Sequence, residues 1–147
     1  MSVVLKQLAN YRKMNLEMIL TDVINRNKKR IVDAQKKQLQ FGCNGKGEKI
    51  NPKYASDAYA HEKHKQNSLA GYGTPDLRKT GALYNDLDFT IGVPSDSEYF
   101  INSELEYFND LYDKYKNAFE LSEKNTEILR PKIQAEYFAE IHKQLNN

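Results

Sequence analysis

The feature that most constrains the fold is an apolar stripe in the first forty residues that repeats every three or four positions. The stripe consists of Leu16, Ile19, Leu20, Val23, Ile24, Ile31 and Leu39, with Asn27 and Gln35 at intervening positions. This spacing is typical of an amphipathic α-helix, and Gly42 can adopt the left-handed conformation that ends one. Val4, Leu8 and Tyr11 form either a separate preceding turn or an earlier start of the same helix. The sequence predicts a long N-terminal helix over residues 1–41.

Residues 42–81 have the composition of loops. The Asn44-Gly45 pair favours a tight turn, so residues 42–54 are expected to form a loop or a small hairpin. A short helix is predicted within residues 53–66. This loop-rich segment separates the N-terminal helix from the rest of the chain.

A change of period marks the segment from residue 82 to residue 102. Side chains two positions apart are apolar except for one asparagine: Leu83, Asn85, Leu87, Phe89 and Ile91. This alternation predicts a strand over residues 82–93, a turn at residues 92–96 and a partner strand at residues 98–101. The result is a small antiparallel β element.

Residues 103–147 are acidic and return to helical spacing. Ser122 has the position of an N-cap, and Pro131 is predicted to divide the C-terminal helical segment, as the first residue of a last helix. The sequence thus predicts one domain over residues 1–147. Its class is α+β and mostly helical, with a long N-terminal helix, a β element at 82–102 and C-terminal helices.

Size and composition bound the class of protein. A chain of 147 residues is long enough to bury a core without disulfides. Its single cysteine, Cys43, excludes an internal disulfide. Neither a signal peptide nor a run of about 18 apolar residues is visible, so we expect a soluble chain with no membrane partner. Ten Tyr and six Phe supply side chains for the core and for contacts with other proteins.

The charge of the chain is unevenly distributed. Residues 1–80 carry 16 Lys and Arg against 7 Asp and Glu, whereas residues 81–147 carry 6 against 13. This asymmetry has two interpretations. Either the two halves neutralise each other within one fold, or the basic half of one subunit meets the acidic half of the next.

Three features invite a catalytic or metal-binding interpretation, and each lacks a required part. Residues 42–49 resemble a phosphate-binding loop, but Glu48 follows the second glycine where Lys is needed. His61 and His64 are three residues apart rather than four, and no third ligand except Cys43 is near in sequence. Cys43 lies in a glycine-rich loop near lysines, as a reactive thiol can, but the sequence supplies no paired base. We predict no catalytic residue, no metal and no cofactor, and hence no enzyme.

The helix near residue 30 has a basic face. This face consists of Arg26, Lys28, Lys29, Arg30, Lys36 and Lys37. It is either a solvated helix surface or a contact with nucleic acid. Because no aromatic residues are interleaved for base stacking, a contact with DNA would neutralise the backbone without reading sequence.

The order of motifs after the first helix is more specific than any one of them. The helix ends in Q-x-x-Q-L-Q-F-G at residues 35–42, and the following loop reads G-x-G-x-x-I-x-P-x-Y at residues 45–54. Tyr59 and Lys63 come next. The last motif is PDLRKTGALYNDLDFTIG at residues 75–92. Over residues 24–92 this order resembles the virion-morphogenesis and tail-completion proteins of tailed bacteriophages. Ile50 stands where those proteins frequently have Trp.

The turn motif of that family is L-x-x-T-G-x-L, and its positions are occupied here by Leu77, Thr80, Gly81 and Leu83. The residues themselves predict a sharp turn into the strand. Thr80 would bond to local backbone, and Gly81 would adopt a φ that other residues avoid. Arg78 and Lys79 would then lie at an exposed tip, where a partner subunit could contact them.

The resemblance implies a structural protein of the phage neck or proximal tail, made in the host cytoplasm and incorporated into the virion. It would act in tail completion or head–tail joining, as a homo-oligomeric ring that binds connector, neck or tail subunits. The alternative is a small nucleic-acid-associated accessory or assembly protein without sequence specificity. An enzyme with a thiol at Cys43 is a third and more distant hypothesis.

Overall fold

The structure, a computed structural model, describes residues 2–91, 99–115 and 117–147. Helices in these ranges are α1 (Val3–Lys13), α2 (Leu16–Arg26), α3 (Lys28–Gln40), α4 (Asp57–Gln66), α5 (Ala82–Asp86), α6 (Phe108–Lys114) and α7 (Glu123–Asn146). The strands are β1 (Asp88–Ile91) and β2 (Tyr99–Asn102), which pair antiparallel with Asp88 opposite Asn102. The predicted class, mostly helical α+β with a small antiparallel sheet, is confirmed.

The N-terminal forty residues form three helices instead of the one predicted. After α1 the backbone is extended at Met14, and the Asn15 side chain caps α2 by accepting from the Met18 N–H. The second break is at Asn27, whose side chain donates to the Val23 carbonyl at 2.8 Å. Asparagine side chains compete with the helix for backbone hydrogen bonds, which explains both breaks.

The core lies where α2 and α3 pack against α7 and β1. Its buried members come from the whole chain: Ile24, Ile31, Val32, Leu39, Ile50, Leu83, Leu87, Phe89, Ile101, Phe108, Tyr115, Ala118, Phe119 and Leu129. Three of these belong to the predicted N-terminal stripe. The two polar members of that stripe, Asn27 and Gln35, are buried as well.

Two buried glutamines of α3 hold the segment that precedes α7. Gln35 donates to the Ala118 carbonyl at 2.6 Å, and Gln38 donates to the Glu120 carbonyl at 2.7 Å. The Gln38 side-chain oxygen also accepts from the Ser122 N–H and from the Asn125 side chain. We call Gln35 and Gln38 the glutamine clamp. It joins the basic N-terminal half to the acidic C-terminal half.

The predicted strand over residues 82–93 is only half correct. Residues 82–86 form the short helix α5, and the strand begins at Asp88. Leu83 and Leu87 are both buried and are four residues apart, so they satisfy a helical turn as well as an alternating strand. The partner strand is at Tyr99–Asn102, close to its predicted place, and the predicted turn at 92–96 lies outside the described residues.

The C-terminal region also differs from its prediction at Pro131. Ser122 caps α7 as expected, with its hydroxyl accepting from the Asn125 N–H at 3.3 Å. The helix then continues through Pro131 to Asn146 without a division. Pro131 is exposed, so the carbonyl that loses its helical partner can bond to water, which lowers the cost of a proline inside a helix.

The loop after α3 depends on the backbone freedom of Gly42. This glycine has a φ of +66° and ends the helix as predicted; a Cβ at this position would lie 2.7 Å from the Thr74 side chain. Gly47, in the same loop, has a φ of +77° and open space around it. We therefore expect Gly42→Ala to lower the free energy of unfolding by about 1–3 kcal/mol more than Gly47→Ala, measured by urea unfolding. Equal losses would mean that the positive φ shared by both glycines determines the cost, and that the crowding at Gly42 adds nothing.

Candidate functional site: the motif turn and its groove

A buried ion pair joins α4 to the turn that carries the L-x-x-T-G-x-L motif. Ser56 is the N-cap of α4, and Lys63 lies on the side of this helix that faces the turn. The Lys63 Nζ lies 2.8 Å from the Asp76 Oδ1, and the two side chains are 9% and 4% exposed. Lys63 also donates to the Arg78 carbonyl. Because an unpaired charge is costly inside a protein, this pair fixes the position of the turn.

Further donors complete the surroundings of Asp76. The Asn67 side chain donates to Asp76 Oδ2 and the Arg78 N–H donates to Oδ1, both at 3.0 Å. Burial by itself raises the pKa of Asp76, but the hydrogen bonds from Lys63, Asn67 and the Arg78 backbone outweigh it. The pKa of Asp76 is therefore held below its ordinary value. The carboxylate is charged at neutral pH.

Two tyrosines bind the backbone on either side of that carboxylate. The Tyr84 hydroxyl donates to the Asp76 carbonyl at 2.6 Å, and the Tyr54 hydroxyl accepts from the Asp76 N–H at 3.4 Å. Burial, followed by the charge of Asp76, raises the pKa of both tyrosines above its ordinary value. Both hydroxyls therefore stay protonated at neutral pH and serve as fixed supports of the turn.

The backbone of the motif turn has the conformation expected from its residues. Thr80 Oγ1 accepts from the Ala82 N–H at 3.3 Å, and Gly81 has a φ of +89°. Leu77 also has a positive φ, +55°, which is unusual for a bulky side chain. The two local predictions for Thr80 and Gly81 are confirmed, although the turn leads into α5 rather than directly into a strand.

A groove of about 550 Å³ lies beside this turn. Its lining is mostly aromatic and aliphatic: Tyr54, Tyr59, Lys63, Leu77, Arg78, Lys79, Thr80, Ala82, Leu83, Leu105, Tyr107, Leu111 and Tyr115. Five of the six predicted contact residues of the motif are in this lining, and Gly81 shapes the backbone behind them. Arg78 and Lys79 are exposed, and the Arg78 guanidinium lies 5.6 Å from the centre of the Tyr84 ring.

The predicted basic face is largely paired with carboxylates of the same chain. Contacts of 2.8–3.9 Å join Arg26 to Glu140, Lys28 to Asp88, Lys29 to Asp33 and Arg30 to Glu136. Lys36 and Lys37 have no ion pair with a described residue. Two of these pairs connect α2 and α3 to α7, so part of the charge asymmetry is neutralised within the fold. Exposed pairs of this kind add little stability.

The three features with a catalytic or metal-binding interpretation do not come together. Cys43 is half-buried and its thiol lies 3.6 Å from the Phe41 carbonyl. His61 is exposed on α4, and the ring of His64 packs edge-on against Tyr72. Within residues 2–91, 99–115 and 117–147, no three His, Cys, Asp or Glu side chains are grouped closely enough to hold a metal ion. Residues 42–49 fold around the Asn44 side chain, which accepts from two backbone N–H groups of the loop.

Sequence reasoning misses the residues that support the turn from inside. Nothing in the sequence pattern singles out Asp76, Asn67 and Tyr84, because polar residues in a turn are usually solvated. One signal for this support is available in the sequence. The Pro75-Asp76 pair lies directly before the motif, and the preceding predicted helix carries a lysine, Lys63, of opposite charge to Asp76. That signal does not indicate burial by itself.

No protein-family model, curated protein or solved structure matches this chain. The resemblance to phage proteins therefore stays a prediction that depends on the ordered motifs of residues 24–92. Among the helices that the structure describes, none is long and apolar enough to cross a membrane.

Proposed function

We propose that this chain is a structural protein of the neck or proximal tail of a tailed phage. It acts in tail completion or head–tail joining by assembling as a ring and binding connector, neck or tail subunits. The ordered motifs of residues 24–92 support the family assignment. The geometry of the motif turn supports a role in binding.

The observation that carries the proposal is the groove beside the rigid motif turn. A buried ion pair and two half-buried tyrosines fix the backbone from inside, while Arg78, Lys79 and Thr80 stay exposed on the outer side. Aromatic and aliphatic side chains beside exposed cations are typical of protein interfaces. Among the described residues that line the groove there is no carboxylate, imidazole or thiol.

The ion pairs change where a subunit contact is expected. Arg26 and Arg30 face Glu140 and Glu136 of their own chain, so these cations are partly neutralised before any partner arrives. That pairing disfavours both a DNA contact on this face and a ring contact made by it. The groove and its surroundings are the better supported contact surface.

Quantitative mass spectrometry of purified virions, with heads and tails separated, tests the proposed function. We expect the chain to be present in a fixed copy number well below that of the major capsid protein, and to accompany the necks or tails. A major structural role would give many copies instead. Absence from mature particles would contradict the proposal and favour an assembly factor that leaves before completion.

A further inference from the structure

The groove beside the motif turn is bordered by cations from two elements of the fold. Arg78 and Lys79 line it from the turn, are exposed, and form no ion pair with a described residue. The other cation of the lining is already neutralised by Asp76. Lys114 lies on the α6 side, with its Nζ 5.2 Å from the centre of the ring of Tyr115, a residue of the lining. Lys114 is also exposed and has no ion pair with a described residue.

The acidic residues of α6 lie farther from the groove than its lysine. At 100° per residue, Lys114 lies about 60° around the helix axis from Leu111, a central residue of the groove wall. Asp110 lies about 100° and Asp113 about 160° from the same residue. The charged side chain closest to the groove side of α6 is therefore positive, like those on the turn.

Between these cations the groove is apolar and has room for side chains of a partner. Its volume of about 550 Å³ lies in the range of pockets that enclose a ligand. In its lining, Tyr59 and Tyr107 are 42% and 45% exposed, and Leu105 and Leu111 are partly buried. Because the buried ion pair fixes the turn, this wall is formed before a partner binds, which reduces the cost of binding.

Tyrosines beside cations also bind single-stranded nucleic acid, but two observations favour a protein segment here. Tyr54 and Tyr59 pack against each other with ring centres 4.9 Å apart, and Tyr115 is buried, so few ring faces are open to stacking bases. Glu104 and Glu106 are exposed directly before α6 and would repel a continuous phosphate backbone. A short segment can place its carboxylates against the cations alone.

We propose that the groove binds an acidic segment of a partner protein, with an apolar side chain of that segment as its anchor. The anchor lies between the turn and α6. Carboxylates on either side of it pair with Arg78 and Lys79 on one wall and with Lys114 on the other, and the guanidinium can hold a carboxylate by two hydrogen bonds. This inference rests on the binding role of the groove in the proposed function and names the chemistry of the partner.

Selection from a display library of random short peptides tests this chemistry with the full chain as the target. The groove triple variant, which carries Arg78→Glu, Lys79→Glu and Lys114→Glu, is the target of a parallel selection. We expect the wild type to enrich peptides with Asp or Glu on both sides of an aromatic or aliphatic residue, and the triple variant not to enrich them.

Fluorescence anisotropy of one enriched, labelled peptide gives the size of the effect. The peptide should bind the groove triple variant at least about tenfold more weakly than the wild type at low salt, and the difference should shrink as salt is added. Tyr107→Ala should also weaken binding at least about tenfold, because it removes apolar contact without changing charge. Since Tyr107 is 45% exposed, the unfolding midpoint of this variant should stay near that of the wild type.

A matched control separates the groove from a general effect of charge. The α7 triple variant carries Lys124→Glu, Arg130→Glu and Lys132→Glu, which reverse three exposed cations outside the groove lining. Its affinity for the peptide should stay within about twofold of the wild-type value at moderate salt, where charges farther away than a Debye length are screened.

Three results would overturn the inference: no acidic sequence is enriched, the enriched peptide binds the groove triple variant as tightly as the wild type, or Tyr107→Ala leaves the affinity unchanged. Binding of single-stranded oligothymidine that the triple variant loses, without any enriched peptide, would assign the groove to nucleic acid instead. None of these results bears on whether the chain is in the virion. Mass spectrometry of particles decides that separately, so failure of this inference and failure of the proposed function are distinguishable.

Discussion

Asp76→Asn is expected to lower the free energy of unfolding by about 3–5 kcal/mol, because it leaves Lys63 buried with an unpaired charge. The Lys63 Nζ would keep only neutral acceptors there, the Arg78 carbonyl and the amide oxygen that replaces Oδ1. The asparagine oxygen can still accept from the Arg78 N–H, so the loss reports the charge pair more than the turn geometry. Urea unfolding at pH 7 measures it.

The double variant Lys63→Met/Asp76→Asn distinguishes a lone buried charge from a general loss of packing. Since it contains no unpaired charge, we expect it to be more stable than Asp76→Asn alone by about 2 kcal/mol. Lys65→Met, on the same helix, removes an exposed pair with Glu62 and should cost less than about 1 kcal/mol. A loss for Asp76→Asn as small as that of Lys65→Met would contradict a buried pair.

Acid provides an independent measurement on the same carboxylate. The pKa of Asp76 is lower in the folded chain than in the unfolded chain, where it is about 3.9. Its contribution to stability is therefore complete well above pH 4 and is lost as the pH falls through the folded pKa. The stability difference between the wild type and Asp76→Asn should shrink as the pH is lowered from 7 towards 2. A difference that stays constant over this range would mean that Asp76 does not titrate as described.

A sequence pattern predicts a helix or strand where its buried residues follow one spacing, either helical or alternating. The stripe of α2 and α3 is recognisable because its buried positions repeat at helical spacing, including the polar Asn27 and Gln35. The breaks within that region are not predictable, because a capping asparagine is indistinguishable in sequence from a polar residue on the helix surface. The four-residue spacing of Leu83 and Leu87 fits a helical turn and an alternating strand equally well. The chain forms a helix here, with Gly81 as its N-cap.

The candidate site is predictable in its outer part only. Arg78, Lys79 and Thr80 come from the motif itself, whereas the groove exists because α6, some thirty residues later, lies against the turn. Likewise, the exposure of α1 depends on which of its sides meets α7. Contacts between distant segments leave no periodic trace in one sequence, so these features required the structure.

The glutamine clamp leads to the second large effect. Gln38→Met is expected to lower the free energy of unfolding by about 3 kcal/mol, because buried backbone groups left without partners cost about 1–3 kcal/mol each. The Glu120 carbonyl and the Ser122 N–H would both lose their partner, and Asn125 would lose an acceptor. Methionine has a similar volume, so cavity formation contributes little. Thermal and urea unfolding measure the loss.

Gln35→Met is the matched control, since both residues are buried glutamines of α3. Gln35 makes one hydrogen bond, to the Ala118 carbonyl, and its Oε1 has no hydrogen-bond partner in the part of the chain that the structure describes. The substitution removes that orphaned oxygen together with the bond, so we expect a loss of only about 1 kcal/mol. If Gln35→Met were as costly as Gln38→Met, the difference in their hydrogen bonds would not explain the effect.

The clamp also positions the segment that leads back from α6 to α7. If the Gln38→Met chain folds but binds the acidic peptide more weakly than the wild type, the clamp acts on that contact through α6, which forms one wall of the groove.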